Sequence, residues 1–102
     1  MSEFSGEERR RSSRITATHP VLIHSHEKGA PPAAAFTFSL SQFGCAVRCK
    51  VSLPVGSRVC LEFEKKKVDG RVTFILRNSA TDSYELGIAF DSDASEFWGE
   101  TF

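Results

Sequence analysis

Two hydroxyls, a glycine and a run of arginines are the residues of this chain best suited to hold a ligand. Ser39 and Ser41 stand two apart in Phe36-Thr37-Phe38-Ser39-Leu40-Ser41. Residues i and i+2 of an extended strand project to one side, so these hydroxyls form a small platform of donors and acceptors. At Gly44, three residues on, the missing Cβ lets the backbone turn or lets a ligand approach closely. Upstream, Arg9, Arg10, Arg11 and Arg14 crowd the amino end of a 102-residue chain whose formal net charge is zero. That overall balance argues against a general nucleic-acid coat protein. Taken alone, the serine stretch also suits a plain β-hairpin with a polar outer face; the arginine cluster gives it a second meaning.

The remaining chemistry-bearing residues offer less. His24 and His26 share one side of a strand and could chelate a metal, but His19 falls on the opposite parity and no further ligand is at hand. Solvent-facing histidines without metal are expected. Cys45, Cys49 and Cys60 are odd in number, sit in apolar strand patterns and form no Cys-x-x-Cys pair, so reduced, inert thiols are expected. No nucleophile–base pairing stands out, and the chain is not read as an enzyme.

These residues need strands to position them. Apolar and polar side chains alternate with period 2 from Phe36 to Ser41, from Cys45 to Cys49, from Arg58 to Glu64, from Val68 to Leu76 and from Tyr84 to Phe90. The alternation sends Phe36, Phe38, Leu40, Val59, Leu61, Phe63, Val72, Phe74, Leu76, Tyr84, Leu86, Ile88 and Phe90 inward, and Thr37, Ser39 and Ser41 outward. Residues 15–26 read as a strand pair or one bent strand interrupted at Pro20. Residues 27–35, with Gly29 and Pro31-Pro32, form a loop. Lys65-Lys66-Lys67 marks a solvated hairpin end. Asp91-Ser92-Asp93 offers N-cap residues for a short terminal helix that packs Phe97 and Trp98 on the sheet. The expected fold is mostly β: a small six-stranded antiparallel barrel over 15–102 with a short C-terminal helix as lid over its sheet edges. Residues 1–14, poor in large apolar side chains apart from Phe4, are read as a flexible N-terminal arm. With no signal-peptide core or membrane-length apolar run, the chain is expected to be cytoplasmic, without membrane insertion.

Three segments in this order resemble the PilZ domain, a bacterial receptor for the second messenger cyclic di-GMP. Arg10-Arg11-Ser12-Ser13-Arg14 matches the family's RxxxR arm. Ser39-Leu40-Ser41-Gln42-Phe43-Gly44 matches its D/N-x-S-x-x-G motif at Ser41 and Gly44, with Ser39 standing where the family has Asp or Asn. Tyr84-Glu85-Leu86-Gly87-Ile88-Ala89-Phe90 looks like its closing strand. The resemblance runs from about Glu8 to Trp98.

The resemblance implies a signalling module with cyclic di-GMP as ligand and no other cofactor, held by Arg10, Arg14, Ser39, Ser41 and Gly44, with Arg9 and Arg11 alongside. It implies a protein partner that senses ordering of the arm, and no nucleic-acid polymer. A guanidinium can meet guanine N7 and O6 bidentately, or pair with phosphate. Ser39 offers one neutral hydroxyl where an Asp would accept two charge-assisted hydrogen bonds, a loss of roughly 1–2 kcal/mol. Two alternatives stand beside this reading. One is a degenerate PilZ barrel that binds no nucleotide and serves as a protein-interaction module, favoured by Ser39. The other is an RNA-binding small barrel, disfavoured by zero net charge and by aromatics expected to face inward.

Overall fold

The structure, a computed structural model, describes residues 14–26, 29–100 and 102. Seven strands carry the fold: β1 (Arg14–Ile15), β2 (Pro20–Ser25), β3 (Ala33–Ser41), β4 (Gly44–Cys49), β5 (Arg58–Phe63), β6 (Lys66–Asn78) and β7 (Ser83–Phe90). A single helical turn, α1 (Ser95–Trp98), follows. Six strands close into an antiparallel barrel in the order β3-β2-β5-β6-β7-β4, with β4 returning to β3; β1 is an extra strand beside the far end of β3. Closure itself removes most free edges, so α1 is not needed as an edge cover. It instead plugs one end with Phe97 and Trp98 among Phe63 and Phe90. Among the described residues no helix is long and apolar enough to cross a membrane.

The alternation expected for β2 and β5 holds. Val21, Ile23, Val59, Leu61 and Phe63 are buried, while Leu22, Arg58 and Glu62 face out. Each such buried aliphatic contributes about 1.5–3 kcal/mol. Glu64 and Lys65 both take positive φ and make the two-residue turn into β6.

On β3 and β6 the alternation fails halfway along. The β3–β4 register shifts between Thr37 and Ser39, and the β6–β7 register shifts between Val72 and Phe74. Each shift is a bulge, in which two residues of one strand oppose one of its neighbour. Phe36 is therefore 55% exposed, Phe74 is 42% exposed, Leu76 is exposed, and Phe38 is only half-buried. All four are corrected from inward to outward. Thr37, expected outside, is 1% exposed. Its hydroxyl donates to the Ala17 carbonyl (2.7 Å) and accepts from the His19 amide (2.8 Å). A polar side chain is stable inside because both partners are provided.

Three smaller readings also change. Arg14, assigned to the arm, is a strand residue paired with Ser41. His19 does not face solvent: its ring lies 4.8 Å from that of Phe63 and 6.0 Å from that of Trp98. The residue at the α1 cap position is Ala94; Asp93, one residue earlier, accepts the Ser95 amide at 2.8 Å. That bond, with the Gln42 amide, holds the Asp93 carboxyl below the usual carboxylate range.

Candidate functional site

The site is assembled from paired rows across the barrel wall. Directly opposed residues in adjacent antiparallel strands project to the same face. One row runs Arg14–Ser41–Gly44–Ala89, on β1, β3, β4 and β7 in turn. The neighbouring row runs Ser39–Ala46–Gly87–Phe74, on β3, β4, β7 and β6. Between its bordering aromatics the floor is made of serine, alanine and glycine. The result is an open groove of about 670 Å³ on the outer face, lined by Arg14, Ser39, Ser41 and Gly44 together with Phe38, Phe43, Phe74 and Thr73.

Both bulges lie at the ends of the second row. The one on β3 presents the consecutive pair Phe38-Ser39 to the groove, and the one on β6 presents Thr73-Phe74. The Phe74 ring lies over Gly87 so closely that any Cβ there would strike it. On the opposite border, the Arg48 guanidinium sits 4.8 Å from the Phe38 ring centroid and donates to Glu85 at 2.9 Å. The groove therefore has an aromatic ring at each side, a small polar floor, and a guanidinium at its β1 end.

Gly44 has a more specific reason than a turn. It lies within β4, and a Cβ on it would come 2.7 Å from the Ile88 carbonyl oxygen. Glycine is what lets β4 and β7 approach at the groove floor. The turn Gln42-Phe43 that joins the two motif serines to Gly44 is tied to the C-terminal segment. The Ala94 amide donates to the Gln42 carbonyl (2.8 Å), the Phe90 amide donates to the Phe43 carbonyl (2.9 Å), and the Gln42 side chain donates to Asp93 (2.5 Å). The Ser41 hydroxyl donates to the Gly44 carbonyl at 3.2 Å, closing the turn from within. Beside the floor, burial pushes the Cys45 thiol well above its ordinary value, so it stays protonated.

Of the residues expected at the site, Arg14, Ser39, Ser41 and Gly44 are brought together around this groove. Arg9, Arg10 and Arg11 lie outside the described residues. Phe38 and Phe74 went unrecognised as groove residues because period-2 alternation put them inside. The Phe74–Gly87 contact left only a faint signal, a glycine in an otherwise large-residue strand.

A comparison with protein-family models matches the PilZ domain over residues 8–96. The chain belongs to the PilZ domain family. No curated protein matches it in sequence. Solved structures that share the PilZ fold include the inhibitor of motility MotI/DgrA of Bacillus subtilis, with 17% identity and a TM-score of 0.66. That alignment covers 89% of this chain and 46% of the other. The complex of MrkH with c-di-GMP from K. pneumonia has 18% identity and a TM-score of 0.63, covering 81% and 44%. The PilZ domain of Escherichia coli YcgR with c-di-GMP has 18% identity and a TM-score of 0.59, covering 81% and 78%. The chain thus spans less than half the length of the MotI/DgrA and MrkH chains.

Proposed function

We propose that this PilZ domain binds cyclic di-GMP in the groove over Ser41 and Gly44 and acts as a receptor module rather than an enzyme. One observation carries the reading. Arg14, Ser39, Ser41 and Gly44, spread over three strands and thirty positions of sequence, line a single groove. Cyclic di-GMP in the MrkH and YcgR structures supports the same ligand here. The groove suits its chemistry. A guanine lies flat on a floor without bulky side chains, between the Phe38 and Phe74 rings, with the serine hydroxyls at its edge. Arg14 reaches guanine N7 and O6 or a phosphate, and Arg10, the first arginine of the RxxxR motif, offers a second guanidinium to the same ligand. The signal to a protein partner is the ordering of the N-terminal arm on ligand binding.

Calorimetric titration of the whole chain with cyclic di-GMP tests this. The expected result is saturable binding that falls about tenfold or more in Arg10→Ala and in Arg14→Ala. Arg9→Ala should lose its smaller effect in moderate salt. Equal, salt-sensitive losses for all three would reduce the cluster to a general anion attractor.

A second reading, a PilZ barrel that serves only as a protein-interaction module, is favoured by Ser39 in place of the family's acid. Absence of binding in the same titration would select it. The third, an RNA-binding barrel, regains one support, because Phe36, Phe38 and Phe74 do face outward. Zero net charge still disfavours it.

A further inference from the structure

The row through the motif serine does not stop at Ala89. It continues to Arg71 on β6, which pairs with Ala89 just as Arg14 pairs with Ser41 at the other end. The full row is Arg14–Ser41–Gly44–Ala89–Arg71. Its two ends are arginines and its three middle residues are small. Four strand spacings separate the ends, about 19 Å along the curved sheet. Both arginines are exposed, and Arg71 lies on the outer face because Gly70 and Val72 on either side of it are buried.

The pairing of the other arginines makes this arrangement informative. The described residues include Arg14, Arg48, Arg58, Arg71 and Arg77. Arg48 is held by Glu85, Arg77 by Asp82, and Arg58 by both carboxylate oxygens of Asp91. Arg58 stands directly opposite Arg71 and holds Asp91, a carboxylate that Arg71 influences through charge. Among the described residues, Arg14 and Arg71 alone of the five have no carboxylate within ion-pair distance and no side-chain hydrogen bond. The two uncommitted guanidinium groups therefore lie at the two ends of the same row of small residues.

We infer that Arg71 is the second grip of the groove, holding the half of a cyclic dinucleotide that lies away from Arg14. This rests on the binding proposed above and extends it. A ligand with two guanines and two phosphates presents acceptors at both ends, and a guanidinium at each end of a row of small residues matches that doubling. Arg71 then selects for a two-ended ligand over a single nucleotide, which reaches only one end.

The test is calorimetry of the whole chain with cyclic di-GMP at low and at about 0.5 M salt, on the parent and on Arg71→Ala, Arg71→Lys, Arg14→Ala and Arg77→Ala. Arg71→Ala should weaken binding about tenfold or more at both salt concentrations. Arg71→Lys, which keeps the charge and loses the fork, should fall between it and the parent. Arg77→Ala, a paired cation on the same strand, should change affinity less than twofold. Melting temperatures of the Arg71 variants should match the parent, since the side chain is exposed. If Arg71→Ala binds like the parent while Arg14→Ala is weakened, Arg71 has no such role and the proposed function stands. If the loss in Arg71→Ala disappears at high salt, Arg71 contributes only a screened field and the grip is refuted. If the parent itself does not bind, the proposed function fails and this inference with it.

Discussion

The β2–β5 wall and the β3–β4–β7–β6 wall of this barrel obey different rules. On the first, the ladder runs unbroken through Leu22–Glu62, Ile23–Leu61 and His24–Cys60, and Val21, Ile23, Val59, Leu61 and Phe63 are buried at alternate positions. On the second, β3 and β6 each carry one extra residue, and the two insertions face each other across β4 and β7 in the row Ser39–Ala46–Gly87–Phe74. A bulge lets one strand bury Thr37 at one end and Leu40 at the other while showing Phe38 and Ser39 outward together. The regular wall packs core. The bulged wall, at the expense of regularity, builds the groove. Bulges of this kind re-aim side chains where a surface must do something besides cover the core.

Substitutions can break or sharpen that contrast. The largest effect belongs to the regular wall. Leu61→Ala empties a fully buried site on β5 and should destabilise the protein by about 2–5 kcal/mol in urea unfolding, with the slope unchanged. A loss below 1 kcal/mol would mean that the core does not sit on this wall.

Thr37→Val probes the inner side of the bulged strand. It keeps the shape but removes the hydroxyl that serves the Ala17 carbonyl and the His19 amide. A loss of about 1–3 kcal/mol is expected in the same assay. A gain in stability would show that Thr37 faces out, as plain alternation had it.

Ser39→Asp probes the outer side. A carboxylate in the row of Ala46 and Gly87 can accept both guanine N–H groups where the serine accepts one. Cyclic di-GMP should bind about tenfold tighter by calorimetry, whereas Ser39→Ala should lose no more than ~1 kcal/mol. Unchanged affinity in Ser39→Asp would place Ser39 away from the guanine edge.

The smallest effect is the sharpest discriminator. Phe36→Ser should leave thermal stability within about 0.5 kcal/mol, as expected for an exposed position. A Phe36 in the core would lose several times that on truncation. A large drop in melting temperature would restore the unbroken alternation on β3.

The amino-acid sequence by itself determined a great deal here. Alternation over short runs, with turn residues between them, specifies a small antiparallel barrel, because a strand with one apolar face must bury it. Gly56 at positive φ and the aromatic pair Phe97-Trp98 sit where local chemistry requires them, whereas the turn expected at Lys65-Lys66-Lys67 falls on Glu64-Lys65, two residues without the left-handed preference of glycine or asparagine. The motif residues Arg14, Ser41 and Gly44 were also legible, through the spacing that the PilZ family shares. Register was decided only in the tertiary structure. Nothing local to Phe36-Thr37-Phe38 says which residue of the three will be the extra one. That depends on Thr37 finding the Ala17 carbonyl and His19 amide, some twenty residues away, and on Val47 opposite it across the ladder. The inside-or-outside choice for Phe74 likewise rests on Gly87 of a different strand offering a flat place for its ring. A period-2 pattern records the preferences of one strand, whereas a bulge is a property of a pair of strands. For that reason the groove, its aromatic borders and the alignment of Arg14 with Arg71 became visible only once the strands were paired.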